Sequence, residues 1–244
     1  QKGLHPYRKR ISNLIKRRII MAARQVFVGF TTEGSTDVRF LRKIIERSFE
    51  EIAYECQGDV EPVVWPLEVK KTDLSFSEYA LKAAQQGVEE IGMMILCIHS
   101  DADDATNQNV LDNKIAPARE LIKAQSDDTT CKILVPAIPV QMMESWMLAD
   151  KDLLKNEIGT TKTDNELGIN RSPESITDPK AVIEEAIRIA RQEKTRRRRK
   201  ELRISDLYLP VGQKVSIDKL KELPSYRRFQ EDIRQAYREL HLMK

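Results

Sequence analysis

Few cysteines and no long apolar run occur in this chain of 244 residues, and both absences exclude classes of protein. The three cysteines, Cys56, Cys97 and Cys131, are scattered without CxxC spacing, which argues against a zinc site or a disulfide framework. We therefore expect reduced thiols and a cytoplasmic protein. Because no apolar run approaches the roughly 18 residues that span a bilayer, we expect no membrane association.

The common motifs of nucleophilic catalysis and nucleotide binding are absent as well. The chain shows no Ser/His/Asp ordering, no nucleophile elbow and no Walker loop. Segment 31–37, TTEGSTD, has one glycine and no lysine, so it fails as a Gly-rich phosphate loop. The formal net charge is only +3, so contact with nucleic acid would have to come from local clusters of charge.

Short apolar runs alternate with helical patterns through the first two thirds of the chain. The apolar runs predict strands at 25–30, 61–69, 93–98 and 131–140. Apolar side chains at helical spacing predict helices at 33–51, 75–91 and 109–124. This alternation predicts an α/β fold with a largely parallel sheet of about four strands flanked by helices. Two prolines in the run at 61–69 favour an edge position for that strand.

A cluster of carboxylates follows the strand predicted at 93–98. Asp101, Asp103 and Asp104 lie at its carboxyl end, where open α/β sheets bind ligands. Adjacent carboxylates repel one another unless solvent or a cation neutralises them. On an extended segment Asp101 and Asp103 would point the same way and suit Mg²⁺ or Mn²⁺, which take oxygen ligands. A polar loop after a strand is the alternative interpretation.

A second acidic motif follows the strand predicted at 25–30. Glu33 and Gly34 come directly after it, and Asp37 lies one turn into the next helix. This order, with Asp-x-Asp after a later strand, resembles the Toprim fold, the catalytic domain of topoisomerases, primases and a set of nucleases. The resemblance covers about residues 26–154 and implies that Glu33 is a general acid/base or shares the metal. If the two strands are neighbours, their acids meet at one place.

Glu144 follows the fourth predicted strand, in the string ESWMLAD at 144–150. It is either a further metal ligand or an acid favoured by the dipole at the amino end of a helix. The Glu-Gly-x-x-Asp, Asp-x-Asp and Glu-x-Trp strings are together similar to a bacterial family of Toprim-like proteins encoded beside ATPases in phage-defence gene pairs. That resemblance implies an anti-phage or toxin-like effector that acts with an ATPase partner.

His99 precedes Asp101 by two residues, so on an extended strand both face the same side. It can ligate a metal or hold a water molecule. A hydrogen-bonded histidine at the end of a strand is the interpretation that we favour.

The two ends of the chain are predicted to lie outside the catalytic domain. Residues 1–20 carry seven Lys or Arg and no acid, and Met21 follows like a translation start. This leader is a nucleic-acid-binding arm, an upstream extension or a transit peptide. The polar stretch 155–177 predicts a linker or a surface excursion, and helices follow from Asp178-Pro179. We therefore divide the chain into a leader (1–20), a Toprim-like catalytic domain (21–154) and a mainly helical C-terminal subdomain (155–244).

A cationic block interrupts the C-terminal part. It consists of Arg196, Arg197, Arg198, Arg199 and Lys200. Nucleic-acid phosphate would neutralise it and release condensed counterions. A solvated helix end beside the local acids is the alternative.

These features predict a Mg²⁺- or Mn²⁺-dependent nuclease that hydrolyses phosphodiester bonds in DNA or RNA. Asp101 and Asp103 would hold the metal, and Asp37 and Glu144 are candidates for a second one. Strand transfer is less favoured, because the tyrosine nucleophile of Toprim strand-transfer enzymes normally comes from another domain. Two other classes stay open: a non-catalytic nucleic-acid or partner-binding module with a structural metal site, and an effector toxin held inactive by its ATPase. Assembly into a homo-oligomer is also open.

Overall fold

Four parallel strands form one sheet in the computed structural model, which describes residues 23–32, 34–70, 73–192 and 202–244. The strands are β1 (Arg24–Thr31), β2 (Val60–Pro66), β3 (Ile95–His99) and β4 (Leu134–Ala137), in the order β2-β1-β3-β4. Each neighbouring pair is parallel. Strand β3 is buried along its whole length, because apolar clusters cover both faces of the sheet. The predicted α/β fold is confirmed.

Helices connect the strands and continue beyond the sheet. Before β4 they are α1 (Ser35–Ala53), α2 (Phe76–Ile91), α3 (Gln108–Val110) and α4 (Ala116–Lys123), with a π-helical turn at Leu111–Ile115. After β4 they are α5 (Glu144–Met147), α6 (Lys151–Ile158), α7 (Pro179–Ala190), α8 (Ile204–Lys214), α9 (Ile217–Leu220) and α10 (Pro224–Glu239), with a 3₁₀ turn at Pro173–Ser175. No helix among the described residues is long and apolar enough to cross a membrane.

Polar side chains start two of these helices. The Ser75 hydroxyl accepts a hydrogen bond from the Glu78 N–H, and the Glu78 carboxylate accepts one from the Ser75 N–H, so α2 begins with a capping box. At α7, Asp178 accepts a hydrogen bond of 2.8 Å from the Ala181 N–H, and Pro179 occupies the first helical position. Local sequence therefore determines where both helices begin.

The prolines of β2 lie at the free edge of the sheet. The Asp59 carbonyl accepts from the Arg24 N–H, and the Leu67 N–H donates to the Phe30 carbonyl, so odd-numbered residues of this segment turn their main-chain groups towards β1. The nitrogens of Pro62 and Pro66 consequently face outward, where no strand needs a donor. The predicted edge position is confirmed, and the same prolines limit pairing with another chain.

The larger apolar cluster lies on the face covered by α1 and by the helices that follow β4. Trp146, Tyr226 and Phe229 pack edge to face or tilted at its centre, with ring centroids 5.2–6.0 Å apart. Tyr226 and Tyr237 are fully buried, so both belong to the core. At Gly212 of α8 an added Cβ would lie 2.2 Å from the Phe40 carbonyl oxygen, so only glycine permits this approach to α1.

Of the two interpretations of 155–177, the linker is wrong, because this segment packs on the fold. Helix α6 continues to Ile158, and Leu167, Ile169 and Ile176 are buried in the larger cluster. The error arose because polar residues dominate the segment, while single apolar residues anchor it. The cluster contains residues from both sides of the boundary predicted at 154, and the division into domains stays a prediction.

Candidate functional site

Strands β1 and β3 are neighbours, and their carboxyl ends lie side by side. Thr31, the last residue of β1, is paired with Ile98, the residue before the end of β3. The acidic segments that follow the two strands therefore start from the same edge of the sheet. Glu33 itself lies outside the described residues, between Thr32 and Gly34.

The buried imidazole of His99 lies between acids of the two segments. Its Nδ1 is 3.7 Å from Asp37 Oδ2, and its Nε2 is 3.3 Å from Asp101 Oδ1. Only 1% of the His99 surface is exposed, whereas Asp101 is partly exposed. The structure thus brings Asp37 and Asp101 to opposite sides of one side chain, although 64 positions separate them in the sequence.

Three buried atoms of this group have no hydrogen-bond partner among the residues that the structure describes. They are Nδ1 and Nε2 of His99 and Oδ1 of Asp101. The favoured prediction of a hydrogen-bonded His99 is therefore wrong, because both carboxylate contacts fall outside hydrogen-bond geometry. Buried polar atoms are nearly always paired, so this point of the molecule suits a polar or cationic ligand.

Asp37 is oriented by the amino end of α1. Its Oδ2 accepts a 2.7 Å hydrogen bond from the Gly34 N–H, and its Oδ1 accepts one of 3.2 Å from the Thr36 hydroxyl. An acid in the first turn also interacts favourably with the helix dipole. Asp37 therefore has a structural role at the start of α1 in addition to its position beside His99.

Glu144 begins α5 and is almost fully buried, with 5% of its surface exposed. Its Oε1 accepts a 2.6 Å hydrogen bond from the hydroxyl of Tyr208. Burial raises the pKa of Glu144, the Tyr208 hydrogen bond opposes that rise, and the negative charge of Asp101 adds to it. Glu144 thus lies near the Asp101 group and retains a proton more readily than an exposed acid.

Tyr208 was not predicted as a site residue. It projects from α8, and burial followed by the contact with Glu144 raises the pKa of its hydroxyl. A lone tyrosine in an apolar helix carries no local sign of this contact. Only the packing of α8 against α1 and α6 brings it to the site.

The chain leaves extended geometry before it reaches Asp103. Asp103 is exposed, its φ is +52°, and its N–H donates to the Gln141 carbonyl at 2.8 Å. The Gln141 N–H in turn donates to the Asp104 carbonyl at 3.0 Å. The assumption that Asp101 and Asp103 alternate along an extended segment is therefore wrong. Asp103 lies in a loop tied to the segment after β4, whereas Asp101 faces His99.

Carboxylate oxygens and an imidazole are the donors that this edge offers to a cation. They fit a hard divalent ion better than a thiolate-binding metal. Among the residues that the structure describes, no group of three or more His, Cys, Asp or Glu side chains is arranged to hold a metal ion. A full ligand set would therefore need Glu33, which is not among them. The cationic block at 196–200 also lies outside the described residues.

Comparison with known families places the chain. A domain of unknown function, DUF4276, matches residues 32–236. The chain belongs to the DUF4276 family. No curated protein and no solved structure matches it.

The DUF4276 match includes the whole candidate site. Asp37, His99, Asp101, Glu144 and Tyr208 all lie within residues 32–236, as does the position of Glu33. The basic leader at 1–20 lies outside the matched residues. The site is therefore contained in the DUF4276 domain, and the family description assigns it no activity.

Proposed function

We propose that this DUF4276 protein is a Mg²⁺- or Mn²⁺-dependent nuclease that hydrolyses phosphodiester bonds in DNA or RNA. The observation that supports the proposal most is the position of buried His99 between Asp37 and Asp101, beside unpaired polar atoms at the carboxyl edge of the sheet. Acids from separate segments that meet at such an edge are typical of a ligand site in an α/β fold. The resemblance to Toprim nucleases supplies the reaction class.

Each acid has a proposed role. Asp101 supplies an oxygen ligand, Glu33 completes the set or moves a proton, and Asp37 and Glu144 serve a second metal position. A bound divalent cation would polarise a phosphoryl oxygen and increase the acidity of water. Burial raises the pKa of Glu144, and a carboxyl group of raised pKa is suited to donate a proton to a leaving oxygen. His99 lies between the Asp37 and Asp101 carboxylates and separates them.

The test is cleavage of labelled single-stranded and double-stranded DNA and RNA with Mg²⁺, with Mn²⁺ or with EDTA. We expect cleavage only with metal, and a loss of roughly 100-fold or more in Asp101→Ala. Asp128→Asn is the matched control, because Asp128 is an exposed carboxylate in the loop before β4, at the other end of the sheet. Cleavage that persists unchanged in both Asp101→Ala and Glu33→Ala would show that the assigned site is wrong.

The biological setting is proposed from the resemblance alone. We infer a cytoplasmic effector of an anti-phage or toxin-like system that acts with an ATPase. If an ATPase holds the effector inactive, the isolated chain should cleave and adding the ATPase should suppress cleavage. Co-purification of the two chains and light scattering of the isolated chain test the partner and the oligomeric state.

One observation favours the alternative of a non-catalytic binding module. Asp37 and Glu144 each accept a hydrogen bond within the fold, from the Gly34 N–H and the Tyr208 hydroxyl, as structural carboxylates do. Such a module would bind nucleic acid or a partner protein and keep the acids for a structural metal. It predicts binding without metal-dependent cleavage, with or without the ATPase.

A further inference from the structure

A second group of polar side chains lies at the carboxyl edge of the sheet, on the opposite face from His99. Along β3, Ile95 and Cys97 belong to the cluster on the α1 face, and Leu96 and Ile98 belong to the cluster on the α2 and α4 face. Side chains of a strand alternate between faces, so His99 continues the first series and Ser100 continues the second. The edge of β3 therefore presents His99 and Asp101 on one side and Ser100 on the other.

Lys114 reaches Ser100 from the π-helical turn. Its Nζ lies 3.0 Å from the Ser100 Oγ and 5.8 Å from the centre of the Phe76 ring. The Ser100 hydroxyl donates in turn to the main-chain carbonyl of Asp101 at 3.2 Å. Two hydrogen bonds, through the Ser100 hydroxyl, therefore connect the Lys114 ammonium to the main chain of Asp101.

The π-helical turn that carries Lys114 is packed against the sheet, so it holds Lys114 in a fixed position. Lys114 is the fourth residue of the π-helical turn Leu111–Ile115, a rare conformation that is frequently found at functional sites. Leu111 and Ile115 on either side of it are buried and hold the turn against the sheet. On the adjacent strand β1, the hydroxyl of Thr31 is hydrogen-bonded to the hydroxyl of Tyr79 of α2.

We propose that Lys114 contacts a phosphate of the bound nucleic acid, so that the substrate lies across the edge of the sheet between the acids and this ammonium. The inference rests on the proposed phosphodiester substrate of the same site. A lysine ammonium is a compact charge with three donors and binds phosphate oxygens well. Acids alone would repel the polyanion, and a cation on the far side of the edge balances that repulsion. Ser100 acts as a positioning residue that directs the ammonium towards the edge.

The experiment measures the affinity for labelled single-stranded DNA and RNA by fluorescence anisotropy, with Ca²⁺ in place of Mg²⁺ and salt varied from about 50 to 200 mM. Lys114→Met should weaken binding roughly tenfold at the lowest salt. It should also reduce the slope of log K against log salt by about 0.7, the value for one lost phosphate contact on a single strand. Lys114→Arg should retain most of the wild-type affinity and most of the wild-type slope.

Two controls separate a phosphate contact from a structural role. Lys123→Met removes an exposed lysine at the last position of α4, eight residues past the π turn, in a cleft beside Leu134 at the other end of the sheet, and should leave the affinity and the slope unchanged. Ser100→Ala removes the positioning hydroxyl, so it should weaken binding less than Lys114→Met and keep the slope. Thermal unfolding of each variant shows whether it is folded.

The inference is overturned if Lys114→Met is folded and has the affinity and slope of Lys123→Met. It is also overturned if the wild-type protein binds neither nucleic acid. A protein that shows the Lys114 dependence but never cleaves contradicts the nuclease and leaves this inference standing. If the wild type cleaves but Lys114→Met keeps the wild-type slope, the nuclease proposal stands and the inference about Lys114 is overturned.

Discussion

The hydroxyl of Tyr208 joins the helices after β4 to the candidate site, and Tyr208→Phe removes it while keeping the ring. The hydroxyl donates a 2.6 Å hydrogen bond to Glu144, which is 5% exposed, so solvent cannot replace the lost donor. Hydrogen bonds to charged groups contribute about 1.5–3 kcal/mol, and neutral ones about 0.5–1.5 kcal/mol. We therefore expect Tyr208→Phe to lower the free energy of unfolding by about 1.5–3 kcal/mol when Glu144 is ionised.

The Glu144 carboxyl determines how the stability deficit of Tyr208→Phe changes with pH. Burial already raises its pKa, and the Tyr208 hydrogen bond opposes that rise, so the variant has a still higher Glu144 pKa than the wild type. The folded variant then resists ionisation more, and its deficit in stability grows as pH rises through the Glu144 pKa. Below the ordinary pKa of 4.5 the deficit should approach the smaller value for a neutral hydrogen bond.

The assay is urea unfolding of wild type, Tyr208→Phe, Glu144→Gln and the double variant at about pH 4.5 and pH 8. The double-mutant cycle should give a coupling between the two residues that is larger at the higher pH. Tyr54→Phe is the control, because Tyr54 is 92% exposed and its hydroxyl should contribute nothing. A deficit for Tyr208→Phe below about 0.5 kcal/mol at both pH values would refute the role given to this contact.

Three other predictions concern separate parts of the molecule. Gly212→Ala should lower the urea midpoint by an amount equivalent to about 1–3 kcal/mol or more, because the new Cβ would meet the Phe40 carbonyl; an unchanged midpoint would contradict the close approach. Burial raises the pKa of Asp232 against the opposing effect of nearby arginines. The contribution of the Asp232 side chain to the free energy of unfolding is therefore most favourable at low pH and is lost as pH rises through its folded pKa. Asp232→Asn should gain stability relative to wild type between about pH 4 and pH 8, as measured by urea unfolding at both pH values. Reversing the charges of Arg197 and Arg198 to Glu should weaken nucleic-acid binding and lower its salt slope by more than Lys114→Met does; unchanged anisotropy would favour a solvated helix end for the block.

Much of the sheet is predictable because its strands follow a simple physical rule. The apolar run at 93–98 contains β3, which is buried on both faces, so uniform apolarity identifies this strand. Pro62 and Pro66 identify the edge strand because they cannot donate to a ladder. The carboxyl ends of β1 and β3 were predicted as places for acids. That they are neighbours is a property of the sheet order, which local patterns do not contain.

The parts of the site that sequence reasoning missed depend on contacts between distant segments. Tyr208 meets Glu144 across 64 positions, with no spacing rule that links them. The left-handed backbone at Asp103 comes from a loop tied to Gln141, and an Asp-x-Asp string does not reveal it. Lys114 points to Ser100 from a π-helical turn, which the helical pattern of 109–124 conceals. In each case tertiary packing determines the direction of a side chain whose residue type is unremarkable.

The most direct test of the proposed metal-dependent site is a crystal grown with Mn²⁺ and measured for anomalous scattering. The account predicts a manganese peak at the carboxyl edge of β1 and β3, bound by Asp101 and by Glu33. No peak at that edge in a crystal saturated with Mn²⁺, with Glu33 turned away from Asp101, would contradict it.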